Sequence, residues 1–171
     1  VDLQALYIKN YAAPTRETNY KVYCGVAGLD KFSVNGKEEL YQDHCVLDIT
    51  TVTKAHWYRM NYLFNKIKEN ETFNDEDLLI FLDGDAFPID HWEGKIRELL
   101  KTHEAVAVER RENIEPLLDD KWKPYPHPLF FATKAKFWLE NNFQWAIDEE
   151  GGVGGLGCLL KKTFEDENYS Y

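Results

Sequence analysis

Five consecutive apolar residues, Leu78 to Leu82, run into two aspartates separated by one glycine, and a proline follows shortly, giving LLIFLDGDAFPID over Leu78 to Asp90. An unbroken apolar run of this length, bounded by turn residues, is the pattern of a strand buried on both faces, as in a parallel sheet covered by helices. Asp83 and Asp85 then stand where the strand ends. In open α/β sheets, ligands bind beyond that end of the strands.

The flanking sequence is read in the same terms. Leu3 to Lys9 (LQALYIK) and Tyr20 to Val26 (YKVYCGV) read as strands around a polar loop with Pro14; Asn35-Gly36 reads as a turn and Cys45 to Ile49 as a short strand. A helix capped by Thr51 or Thr53 runs through TKAHWYRMNYLFNKIKEN, with Trp57, Met60, Leu63, Phe64 and Ile67 on one face. After Pro88, HWEGKIRELLKTH is a second amphipathic helix and EAVAVE, Glu104 to Glu109, the next strand. The alternation predicts an α/β fold, a single domain with a mostly parallel central sheet flanked by helices. At 171 residues and 44% hydrophobic, the chain can build one sizeable core. Further on, the long loop RRENIEPLLDDKWKPYPHP has the length of a functional segment. LFFAT is then a strand, KAKFWLENN a helix with Phe137 and Trp138 inward, the glycine-rich stretch leads into an apolar helix, and EDENYSY reads as frayed.

Composition narrows the partners. A formal charge of -10 argues against duplex nucleic acid and anionic membranes, whose phosphates require clustered Lys and Arg. No apolar run approaches the roughly 20 residues of a membrane span, and the start carries no signal-peptide pattern. Cys24, Cys45 and Cys158 are odd in number and widely spaced, which argues against a disulfide framework or zinc knuckle and for a reducing, cytoplasmic compartment.

Two carboxylates one residue apart can hold a divalent cation while Gly84 lets backbone approach a ligand. Mg²⁺ or Mn²⁺ bound through one or two carboxylates keeps positions open for phosphate oxygens, so a phosphate-bearing substrate is implied. The plainer alternative is a turn, since Asp and Gly favour turns.

The apolar strand closing in Asp83-Gly84-Asp85, with Phe87 and Pro88 just after, resembles the DxD motif of the GT-A class of nucleotide-sugar-dependent glycosyltransferases. The order of elements is similar over most of the chain, whose size is like that of compact microbial and virus-encoded members. The resemblance implies a GT-A, Rossmann-like fold with a nucleotide-binding half over about residues 1–110 and an acceptor half over about 111–171. It also implies Mn²⁺ or Mg²⁺ on Asp83 and Asp85, a UDP-sugar donor whose ribose meets Asp83 or Gly84, and a hydroxyl acceptor on a glycan or glycoprotein. Tyr11, just after the first expected strand, lies where the family stacks the base; the alternative is a surface aromatic.

Other residues are placed around this centre. Arg59 offers a charged fork to a donor phosphate, or is a solvated helix charge. His127, between Pro126 and Pro128, is a candidate metal ligand or sugar contact, or a loop histidine bonded to backbone. Glu109, Arg110 and Arg111 leave their strand at the same sheet edge as the aspartates. Asp148 and Glu149, followed by Glu150 and the run Gly151-Gly152-Val153-Gly154-Gly155, are candidates for the carboxylate that takes the acceptor proton or stabilises charge on the sugar, against helix capping and a solvated acidic patch. The glycines lack the Gly-Lys-Ser/Thr ending of a Walker loop, yet a helix start there offers backbone N–H groups to a sugar or phosphate.

Two rivals remain. A haloacid-dehalogenase-like phosphohydrolase also carries D-x-D after a buried strand, but near the start of its domain and followed by Thr or Val rather than Ala86-Phe87. A non-catalytic module binding a nucleotide sugar or Ca²⁺ is the other; an EF-hand is excluded because the further oxygen ligands and the closing Glu are missing.

Overall fold

A computed structural model describes residues 2–11, 20–27, 41–47, 52–110, 125–146 and 158–171. By packing, the chain groups into two compact units, Val1–Phe73 with Gly84–Glu98, and Asn74–Asp83 with Leu99–Tyr171. The two halves expected from the sequence were a division by role; this one is a division by packing.

The first unit opens on a correction. Asp2–Tyr11, expected to contain a strand, is a helix, α1. Leu, Gln, Ala and Lys are strong helix formers, and the inward residues Gln4, Tyr7, Ile8 and Tyr11 recur at steps of three and four while Asn10 is exposed. The following strands, β1 (Val22–Ala27) and β2 (Tyr41–Leu47), pair in parallel. Helix α2 (Val52–Asn70) packs on both. Its expected inner face holds: Phe64 is buried and Trp57, Met60, Leu63 and Ile67 are half-buried. The helix end is tied to β1 through Glu71, which accepts from Tyr23 Oη at 2.6 Å and pairs with Lys21; these two bonds, Lys21 first, hold its carboxyl below the usual range. The Asn35-Gly36 turn and the Thr51 cap lie outside the described residues.

The second unit carries the larger correction. β3 (Leu78–Leu82), β4 (Ala105–Arg110) and β5 (Tyr125–Lys134) form a three-stranded antiparallel sheet in the order β3-β5-β4. The expected mostly parallel central sheet of a GT-A, Rossmann-like domain is therefore not what the described residues form; the parallel pairing is confined to β1 and β2. β3 and β4 do run the same way, as a strand, helix α3 (Glu93–Leu99) and strand require, but β5 enters between them in the opposite sense. β3 is also one-sided rather than buried on both faces. Leu79 and Phe81 are buried, whereas Leu78, Ile80 and Leu82 are half-buried. The strand buried on both faces is β5, where Phe131, Ala132 and Thr133 are wholly inaccessible and the Thr133 hydroxyl donates to the Glu104 carbonyl at 2.7 Å.

The core under this sheet is aromatic and is assembled by two helix ends. α4 (Ala135–Glu140) and α5 (Cys158–Asp166) pack against β5. Past α4, Asn142 adopts a positive φ of 51°, its N–H reaches Leu139 O and the Phe143 N–H reaches Trp138 O. Past α5, Asn168 has φ 58°, its N–H reaches Glu165 O and the Tyr169 N–H reaches Phe164 O. Both are Schellman caps with asparagine in the left-handed position. Each swings an aromatic residue back, Phe143 onto Trp138 at 5.4 Å and Tyr169 onto Phe164 at 5.7 Å between ring centroids.

The closing segment, expected to be frayed, is instead bound to β4. Ser170 O accepts from the N–H groups of Glu104 and Ala105, and the Glu104 carboxylate takes the Ser170 N–H and hydroxyl, each at 2.7 Å. The Ser170 N–H above all holds the Glu104 carboxyl below its usual range. A carboxyl depressed on folding stabilises the protein above its unfolded pKa and loses that contribution as pH falls through the folded value. Glu104→Gln is expected to destabilise by about 1 kcal/mol at neutral pH. Urea midpoints should converge with those of the unsubstituted protein as pH drops from about 5 toward 3; parallel midpoints throughout would refute the linkage.

Candidate diphosphate and metal site

Asp83 is the first residue beyond β3 and remains tied to the sheet, its N–H donating to Leu129 O at 3.3 Å. Because β3 and β4 share a direction, the ends of both, with Asp83 and Glu109–Arg110, lie at the end of the sheet where β5 begins. The sequence expectation that these charged residues share a sheet end agrees with this topology. Asp83 is half-buried, while Gly84 and Asp85 form an exposed turn.

Gly84 separates the plain turn from a ligand-facing one. Its φ lies outside the left-handed region, and an added Cβ would meet no atom within 4 Å among the described residues. Neither conformation nor internal packing therefore calls for glycine here. Gly84→Ala is expected to leave stability equal or raise it by up to about 1 kcal/mol, because alanine restricts the unfolded chain. The same change should weaken nucleotide binding about tenfold if the bare backbone is where the ligand lies. Thermal melting and calorimetry on one preparation separate the two effects, and undiminished binding would return Gly84 to an ordinary turn.

Within the first unit, α1 lies along the segment that leaves the motif. Gln4, only 7% exposed, donates through Nε2 to Ala86 O at 2.8 Å. Phe87 meets Tyr7 at 4.6 Å, Tyr7 stacks on Tyr11 at 5.7 Å and 29°, and Tyr11 meets the edge of His91 at 5.8 Å. Tyr11 is thus the last residue of a helix, not part of a loop after a strand, and it belongs to an aromatic row beginning two residues past Asp85. Arg59 is half-buried on α2.

His127 lies inside β5 rather than in a loop. Its Nδ1 accepts the Leu129 N–H at 3.0 Å, and since a backbone N–H only donates, that nitrogen presents its lone pair there. Leu129 is the residue that sequence reasoning missed. Its carbonyl receives Asp83 and its N–H goes to His127. The available signal was Pro126-His127-Pro128, because prolines inside a strand mark a bulge. Asp148, Glu149, Glu150, Arg111 and the glycine run lie outside the described residues.

Among the described residues no three His, Cys, Asp or Glu side chains are grouped to hold a metal ion. Two carboxylates one residue apart, with Cα atoms no more than about 7 Å apart by chain geometry, do not make a closed cage. They do fit Mg²⁺ or Mn²⁺, which takes its remaining ligands from phosphate and water. Among the described residues no helix is long and apolar enough to cross a membrane. No protein-family model matches the sequence, and neither a curated protein nor a solved structure matches it.

Proposed function

We propose that the chain is a metal-dependent glycosyltransferase that moves a sugar from a nucleoside diphosphate donor, UDP foremost, to a hydroxyl acceptor on a glycan or glycoprotein. The observation that carries the reading is the turn at the end of β3. A strand anchored in the core delivers two carboxylates one residue apart, and the glycine between them is required by neither φ nor packing. The reading rests on this site and not on a parallel-sheet fold.

In this reading Asp83 and Asp85 hold Mn²⁺ or Mg²⁺, which supplies charge neutralisation to the departing diphosphate. Gly84 admits the donor against the backbone. Tyr11 is assigned from sequence as a stacking surface for the base. Arg59 supplies a guanidinium for a phosphate oxygen. Asp148 and Glu149 are assigned from sequence as the carboxylates that take the acceptor proton or stabilise positive charge on the sugar. A reducing, cytoplasmic compartment accords with the odd, dispersed cysteines.

The test is turnover of a panel of UDP-sugars with Mn²⁺, read as UDP release. Release that rises on adding sugar acceptors supports transfer. Phosphate release from monoesters without UDP-sugar turnover would favour the phosphohydrolase instead.

A further inference from the structure

β5 is broken where it passes Asp83. Its register against β4 jumps from Ala107 opposite Phe131 to Val108 opposite His127, so Pro128, Leu129 and Phe130 have no opposite residue on that side. On the other side the register is intact through Leu82 opposite Phe130, and the next bond is Asp83 N–H to Leu129 O. The prolines give a cause. Pro126 and Pro128 have no N–H for the ladder, and each restricts the residue before it to extended conformations. Both are fully buried, so the irregularity is built into the packed interior. The Leu129 N–H, left without a β4 partner, turns to the ring two residues back.

We propose that His127 is a positioning residue for Asp83. Its Nδ1 fixes the bulged Leu129 backbone, and the Leu129 carbonyl in turn fixes the backbone of Asp83. As a claim about ligand binding this rests on the diphosphate and metal reading above. It also replaces the expected role of His127 as a metal ligand: ligation through Nε2 needs the proton on Nδ1, which would face the Leu129 N–H donor to donor. A backbone clamp beside a bulge suits a site whose metal takes only two protein carboxylates, because small shifts of a supporting segment weaken binding strongly.

Replacement of His127 by asparagine and by glutamine separates the roles. Asparagine places Oδ1 where Nδ1 stands and accepts an N–H two residues on, as Asx turns do; glutamine places its polar group nearer Nε2. Amide hydrogen exchange at Leu129 and Asp83, measured without ligand, is expected to be at least tenfold faster in His127→Gln and within about threefold of the unsubstituted protein in His127→Asn. Calorimetric UDP binding with Mn²⁺ should follow the same order, roughly tenfold weaker for Gln and near normal for Asn. Unchanged exchange in His127→Gln would overturn the clamp. Retained binding in Gln with loss in Asn would also overturn it, in favour of ligation through Nε2. If the unsubstituted protein does not bind UDP but the exchange order holds, the site reading falls while the clamp is upheld.

Discussion

Asp83→Ala and Asp85→Ala are each expected to reduce the proposed Mn²⁺-dependent UDP binding by at least about 100-fold, a loss of about 2.7 kcal/mol, and to abolish UDP-sugar turnover. Both variants are expected to fold. Asp85 is exposed, so its replacement is expected within about 0.5 kcal/mol of neutral. Asp83 donates its backbone N–H to Leu129 O, a bond that alanine can also make. Asp83→Asn keeps the side-chain shape and removes the charge, so its failure to bind isolates the carboxylate. Glu167→Ala, which removes an exposed carboxylate far along the chain, is expected to leave binding unchanged and controls for the net charge. Circular dichroism and calorimetry on the set check the account; full binding in either aspartate variant contradicts it.

Phe131→Ala is expected to have the largest effect on stability, about 3–5 kcal/mol. Phe131 is wholly buried in the centre of the sheet, with the rings of Phe81, Trp138, Trp145 and Phe164 at 6.2, 5.5, 5.4 and 6.4 Å. No small shift of one neighbour fills the space its ring would leave. Against a total stability of about 5–15 kcal/mol, the loss should lower the thermal midpoint by roughly 10 °C. Ile89 is the contrast, 74% exposed beside Pro88, and Ile89→Ala should change the midpoint little. Equal shifts in the two variants would be incompatible with an aromatic core organised around β5.

Periodicity made the regular elements legible and left their pairing hidden. The inner face of α2, the helices at 93 and 135, the strand at 105 and the inward turn of Trp138 all follow from apolar spacing, and all are present. Two features misled. LQALYIK mixes strong helix formers with Tyr and Ile, and these β-favouring residues fit a strand until the inward set Gln4, Tyr7, Ile8 and Tyr11 is seen at helical steps. LLIFL is apolar at every position, so sequence does not distinguish a strand covered on both faces from one with a buried and a half-buried face. Whether β5 enters a sheet in parallel or antiparallel is a matter of contacts distant in sequence, on which a local pattern is silent. The same limit applies at the site. Asp83 and Asp85 were visible because strand and turn are local, whereas Leu129, which links Asp83 to His127, is defined by a register shift between strands.

The most direct measurement is a calorimetric titration of UDP into the protein with Mn²⁺, repeated with EDTA. Binding with Mn²⁺ that disappears with EDTA is the predicted result; it supports a metal-bound diphosphate, and loss of that binding in the two aspartate variants assigns the metal to Asp83 and Asp85. No binding in either condition by protein shown to be folded, or binding indifferent to EDTA, contradicts the proposed site.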